Sequence, residues 1–239
     1  MIAVLIVSLV LLSTQLYIYD VGRPLESGES GVNNFLYAVK LGSKHLVTGS
    51  LANVSTDHNN TILTTKLEGW KSFIEGLSQF GKPILVFTLQ NTSPYTNGTH
   101  LSWVADGFGI SSACAGFNFS LFDGQVSVQS FYVVNVTTSL EVKGVWRALT
   151  EDLKQVNVTC NLLNEGAPAL AEDLAVLFES SGSWQRADEQ SNYSLVDYGN
   201  GTYLVSFDAN IPGASASVSA QVYDMRDIYV QANTTCSNV

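Results

Sequence analysis

The chain has 239 residues, of which 46% are apolar and 13% charged, and 11 Lys+Arg against 21 Asp+Glu give a net charge of −10. Globular proteins average about 25% charged residues, and a mean hydropathy of +0.15 exceeds that of disordered chains. So few cations exclude general nucleic-acid binding, which needs several Lys or Arg facing phosphates, and docking on anionic lipid by a basic patch.

Residues 1–19 carry no charge. Ile2, Val4, Leu5, Ile6, Val7, Leu9, Val10, Leu11, Leu12 and Leu16 would form the apolar surface of a helix. About 20 helical residues rise about 30 Å, the thickness of a bilayer's hydrocarbon core. Tyr17 and Tyr19 fall where an interfacial aromatic belt would lie. No basic stretch precedes the run and no small-x-small cleavage site follows it. Residues 1–21 are therefore read as a retained hydrophobic helix, in a membrane or a filament core. Residues 22–31, rich in Gly, Ser and Glu with Pro24, read as a linker.

From Val32 to Val54, Phe35, Val39 and Leu46, with Leu36, Val47 and Leu51, lie close to helical spacing. Local alternation at Phe35, Tyr37, Val39 and Leu41 keeps a strand open. The small residues Ala38, Gly42, Ser43, Gly49, Ser50 and Ala52 would admit a close neighbour. Residues 61–80 form a clearer amphipathic helix, with Ile62, Leu63, Leu67, Trp70, Ile74, Leu77 and Phe80 recurring at three and four. Asn60 is placed to cap it, and Gly81-Lys82-Pro83 to end it. Two such helices predict a hairpin.

After Pro83 the period becomes two. Residues 84–90, 100–107, 114–122 and 125–142 read as strands, with Asp123-Gly124 as a hairpin signal. Further strands follow at 154–164, 173–180, 194–209 and 217–236, separated by Asn164-Glu165-Gly166, Ser181-Gly182, Gly199-Asn200-Gly201 and Pro212-Gly213. Short alternating strands at this cadence predict an Ig-like sandwich, with Trp146 or Trp184 and Tyr203 as candidates for its buried Trp and Tyr corner. The expected fold is α+β, mostly β: a hydrophobic N-terminal helix, a small helical hairpin, an α/β-sandwich head over 32–145 and an Ig-like sandwich over 146–239.

Asn-x-Ser/Thr sequons begin at Asn53, Asn59, Asn91, Asn97, Asn118, Asn135, Asn157, Asn192, Asn200 and Asn233. With 17 Asn and 44 Ser+Thr in 239 residues, chance would place about three. The excess points to N-glycosylation, and hence to an extracellular face for everything past residue 52. Outside the cell, the three cysteines suggest one disulfide and one buried thiol. Cys160 and Cys236 each follow a sequon ending in Thr in the C-terminal sandwich, so they are the expected pair, with Cys114 a buried free thiol. That bridge would close a loop worth roughly 4 kcal/mol. Cys114–Cys160, Cys114–Cys236 and a fully reduced chain remain open.

No catalytic signature stands out. HExxH, a P-loop, GxGxxG after a strand and an EF-hand loop are absent from the sequence. Gly109-Ile110-Ser111-Ser112-Ala113 half matches a nucleophile elbow but no helix pattern follows it. Cys114 with His45, His58 or His100 could form a thiol dyad, although a small apolar role suits Cys114 better. Asp224, Asp227 and Asp188-Glu189 lack calcium-loop spacing and read as exposed acidic turns. Lys44 and His45 read as a solvated helix face. An enzyme is not expected, nor a metal, nor a cofactor beyond N-linked glycans.

The charge-free stretch MIAVLIVSLVLLSTQLYIY, joined to a sequon-rich β head, resembles an archaeal type IV pilin or pilin-like surface protein after leader removal. The segment from Val156 to Ser180, with Tyr198 to Phe207, resembles Ig-like modules of prokaryotic surface proteins. Leu5 stands where bacterial pilins carry Glu, and the helix signal stops at Asp20–Pro24, earlier than in filament pilins. The resemblance implies a filament subunit at the cell surface, held in the membrane before assembly. Its partner would be other copies of itself through the N-terminal helix. The alternative is a single-span, membrane-anchored ectodomain that binds a surface or another cell.

Overall fold

The computed structural model describes residues 28–77, 81–104, 106–123 and 126–239. The expected helix over 1–21, with Ile2, Val4, Leu5, Ile6, Val7, Leu9, Val10, Leu11, Leu12 and Leu16, lies outside the described residues. Among those described, no helix is long and apolar enough to cross a membrane. Among the described residues, two α-helices and many strands make a mostly β fold.

Two compact units interleave along the sequence. The first takes residues 28–47, Thr64–Leu89 and Ala115–Val134, and the second takes Thr48–Leu63, Gln90–Cys114 and Asn135–Val239. Both draw on the span 32–145. Helix α1 (Gly28–Asp57) and strands β3 (Phe108–Asp123) and β4 (Val126–Ala148) give residues to each. Because α1 begins at Gly28, the end of the expected 22–31 linker is helical.

In the first unit, β1 (Lys82–Leu89) pairs antiparallel with β3 from Lys82↔Phe122 to Leu89↔Ala115. Alternation sends Phe117, Phe119 and Leu121 to one face, where all are buried. Phe35 of α1 meets Phe119 edge-on at 5.7 Å. Helix α2 (Ile62–Glu75) contributes Leu67, Trp70 and Ile74 to the core. Gly42 is there because a Cβ would strike the Trp70 ring. Next to it, Ser43 Oγ accepts the Trp70 indole N–H at 3.0 Å and lies 3.0 Å from the Tyr132 hydroxyl, whose ring stacks on Phe117 at 5.1 Å.

The second unit is a two-sheet arrangement. One sheet runs β3–β4–β5–β10–β9, with β5 Leu153–Asn164, β10 Thr202–Asn210 and β9 Ser191–Asp197. On it, β2 (Thr99–Trp103) pairs with β3, and the two-residue β6 (Ala167–Pro168) with β5. The other sheet runs β12–β11–β7–β8, with β12 Tyr229–Thr235, β11 Ser217–Asp224, β7 Ala171–Ser180 and β8 Ser183–Arg186. Val156, Val158, Cys160 and Leu162 of β5 all point inward, and the register puts Tyr203, Val205 and Phe207 of β10 opposite the first three. Phe178 of β7 meets Phe207 at 5.3 Å, joining the two layers. Trp146 is buried and Trp184 largely exposed, which decides between the two candidates. Tyr203 is buried, its hydroxyl accepting the Ala171 N–H at 2.7 Å. After β12, the chain crosses back as β13 (Ser237–Asn238), parallel to β4 at Val145 and Trp146.

All three cysteines are free, so the expected Cys160–Cys236 disulfide is not formed. Each thiol serves as a small apolar filler. Cys160 lies between Val142 and Tyr203 in the register. Cys236 occupies the space over Gly144, where any Cβ would meet its sulfur. Burial pushes the Cys160 thiol up to about 12 and that of Cys236 to about 11, suppressing the thiolates that exchange requires. Cys114 is half-buried rather than buried.

Candidate functional surfaces

The ten sequon asparagines are distributed over helix, loops and strands, and none is buried. Asn59, Asn91, Asn97, Asn118, Asn135, Asn192 and Asn200 are exposed, and Asn53, Asn157 and Asn233 are half-buried. Two bind their own sequons: Asn59 Oδ1 accepts the N–H and the hydroxyl of Thr61, and Asn200 Oδ1 accepts the Thr202 N–H. Asn59 thus organises the turn that leads into α2, next to the place where Asn60 is expected to cap it. Asn192 differs, because its amide nitrogen donates to the buried Asp208 carboxylate at 2.6 Å.

The outward face of β12 and β11 combines rings and amides. The register pairs Tyr229 with Tyr223, Gln231 with Gln221 and Asn233 with Ser219. Tyr229 packs against Tyr223 at 5.1 Å and edge-on against Trp103 at 5.0 Å, and His58 meets Trp103 at 5.2 Å. The Tyr229 hydroxyl donates to Gln231 Oε1, whose amide donates to Ser219 Oγ and Asn233 Oδ1. Burial pushes the Tyr229 phenol up to about 12, so it stays a donor. Sequence reasoning missed this face, since its residues come from three separated segments.

Two buried charges also escaped it. The Lys154 ammonium, at an inward position of β5, donates to the carbonyls of Ile211, Gly213 and Ser215 at 2.7, 2.6 and 3.2 Å and lies 4.6 Å from the Trp146 ring centroid. It holds the loop at 211–215 as a bound cation would. Above that loop is a cavity of about 290 Å³ lined by Glu179, Ser181, Gly182, Pro212 and Ser215 among others. Asp224, expected in an exposed turn, is fully buried. It accepts the backbone N–H groups of Arg226 and Ile228, the Thr138 hydroxyl and Arg226 Nε. Arg226 reaches on to Glu165 at 2.8 Å. Asp188 is an exposed acid, paired with Arg186 at 2.7 Å, which holds its carboxyl below the usual range.

Ser111 and Ser112 lie inside β3, not on a strand-to-helix turn. Ser111 Oγ donates to Tyr229 O at 2.6 Å, and Ser112 Oγ to Val136 O at 3.1 Å, so both hydroxyls are structural. His58 and His100 pack on Trp103 and Tyr95, respectively. Burial raises the Cys114 thiol, away from nucleophile chemistry. Lys44 and His45 are exposed on α1. Among the described residues, no group of three His, Cys, Asp or Glu could hold a metal ion.

No family model and no curated protein matches the sequence. Among solved structures, the chain is similar to BspA_C_WT at 9% identity and a TM-score of 0.26, covering 53% of this chain and 59% of that one. Similar values hold for BspA_C_mut (9%, 0.24, 53% and 55%) and for the Streptococcus agalactiae AgI/II polypeptide BspA C-terminal domain (9%, 0.24, 53% and 59%). The chain thus spans less than two thirds of each.

Proposed function

We propose that the chain is an N-glycosylated cell-surface ectodomain that binds a target, and not an enzyme. The observation that carries this reading is the excess of sequons, ten where chance would place about three, with none of their asparagines buried. Low charge fits the same reading, because glycans supply the hydration that Lys and Glu provide elsewhere. The ring-and-amide cluster of β11 and β12 is half-buried, and the part left open to solvent has a neutral polar character suited to an uncharged target such as a surface saccharide. This reading takes precedence over a filament subunit, whose support rests on residues 1–19 alone.

Intact-mass measurement of the chain from its native cells, before and after glycan removal, tests the proposal. Masses well above 25.8 kDa that collapse on deglycosylation are expected. Protease treatment of whole cells should also release fragments of residues 28–239. An unmodified mass and complete protection from the protease would overturn it.

A further inference from the structure

The first unit's sheet carries large apolar side chains on the face opposite its helices. Phe131 is 74% exposed, Phe122 59%, Val133 57%, Val86 51% and Ile84 42%. These share one face: Ile84 and Val86 alternate with the buried Leu85, Phe122 is paired with Lys82, and Phe131 and Val133 alternate with Tyr132 and Val134 of the core side. The Phe131 ring leans over Gly116, which lacks a side chain to hold it off. A contiguous patch of this kind on a soluble surface marks something that covers it.

Asn118 sits within that patch. It is exposed, directly opposite Val86, and opens the sequon Asn118-Phe119-Ser120. We propose that the cover is the chain's own glycan on Asn118. In its attachment, Asn118 Nδ2 forms the bond to the anomeric carbon of a pyrophosphate-activated sugar, the anomeric C–O bond breaks, and the displaced proton leaves with the pyrophosphate carrier. A pyranose has a C–H-rich face that packs on rings and methyl groups, and hydroxyls that stay in water. Gly116, where Phe131 leans, is two residues from Asn118, about 7 Å along a strand, within reach of the first sugars. A flat protein partner fits this face less well, because it would bury the Asn118 amide, or the glycan, against apolar surface without a hydrogen bond. The inference rests on the ectodomain reading and adds a structural task for one sequon.

Site-by-site peptide mass spectrometry of the native glycoprotein is the first arm. The second compares native protein, the folded protein after enzymatic glycan trimming, Asn118→Gln, Ser120→Ala and Asn200→Gln for binding of a hydrophobic fluorescent dye and for sedimentation. Asn118 should be occupied. Asn118→Gln, Ser120→Ala and trimming should each raise dye fluorescence severalfold and cause self-association, whereas Asn200→Gln should do neither. Adding Val86→Thr and Phe131→Thr to Ser120→Ala should reverse both effects. An empty Asn118 among other occupied sequons overturns the inference and leaves the ectodomain reading standing. No occupied sequon overturns both. An occupied Asn118 whose loss changes neither readout also overturns the inference, and self-association of the native glycoprotein through this face would show a second copy as the cover instead.

Discussion

In the first unit a single sheet is covered by helices on one face, whereas in the second two sheets face each other across the Phe178–Phe207 contact. The helix-covered sheet is held by ring packing fitted to small residues, with Trp70 seated on Gly42 and bonded to Ser43. The two-sheet unit instead buries charge. Lys154 and Asp224 are enclosed, each meeting several backbone groups. A sandwich can surround a charge with carbonyls and amides from its own loops, and a loop tied by such a charge needs little apolar contact of its own. The first unit relies on shape, and the second on satisfied polar anchors.

Removing the anchors of the second unit should have the largest effect. Lys154→Met keeps the apolar stem but leaves three carbonyls without a donor, and Asp224→Ala leaves Arg226 Nε and two backbone N–H groups without their acceptor. Each should lose a few kcal/mol, at about 1–3 kcal/mol for each buried polar group left without its partner. Denaturant unfolding followed by Trp fluorescence measures it. A loss below about 1 kcal/mol in both would mean that these charges are idle.

The first unit should respond to volume instead. Gly42→Val places methyl groups in the Trp70 ring and should cost about 1–3 kcal/mol by overpacking. Exposed Gly49, near which no atom would meet a Cβ, should tolerate Gly49→Ala and even gain up to about 1 kcal/mol from helix propensity. Gly49 lies in the part of α1 that belongs to the second unit, and equal responses at the two glycines would show that the seat of Trp70 on Gly42 does not hold the first unit.

Periodicity was enough for much of this architecture. The three-and-four spacing at Leu63, Leu67, Trp70 and Ile74 located α2, and the alternation through Val156, Val158, Cys160 and Leu162 located both β5 and its buried face. The consecutive apolar run Ile84-Leu85-Val86-Phe87 already signals a strand with apolar character on both faces, although what covers the second face is not written in it. Lys154 and Asp224 were missed for a different reason. Residue type argues for exposure, and the carbonyls of Ile211, Gly213 and Ser215 for Lys154, with the Thr138 hydroxyl and the N–H groups of Arg226 and Ile228 for Asp224, reverse that preference. Cysteine pairing was equally out of reach, because it depends on where Gly144 leaves room rather than on local sequence.

The smallest effect concerns an exposed acid pair in the second unit and its dependence on pH. Glu172 of β7 hydrogen-bonds the Asp227 carboxyl, and that bond, followed by the charges of Asp227, Asp173 and Asp224, raises its pKa above the ordinary 4.5. The folded chain therefore binds this proton more tightly than the unfolded chain. Its contribution to stability is complete below about 4.5 and is lost as pH rises through the higher folded value. Asp188 and Glu141 work in the opposite sense. Arg186 and Lys143 hold their carboxyls low, so their contributions are present above the unfolded values and are lost as pH falls through the folded ones. Glu172→Gln keeps a donor facing Asp227 and removes one negative charge. The variant should melt slightly above the parent at pH 7 and coincide with it near pH 4, where Glu172 is itself protonated. Thermal melts at the two pH values read this directly. A gain of the same size at both would show that the substitution acts through packing or the unfolded chain, and not through the shared proton.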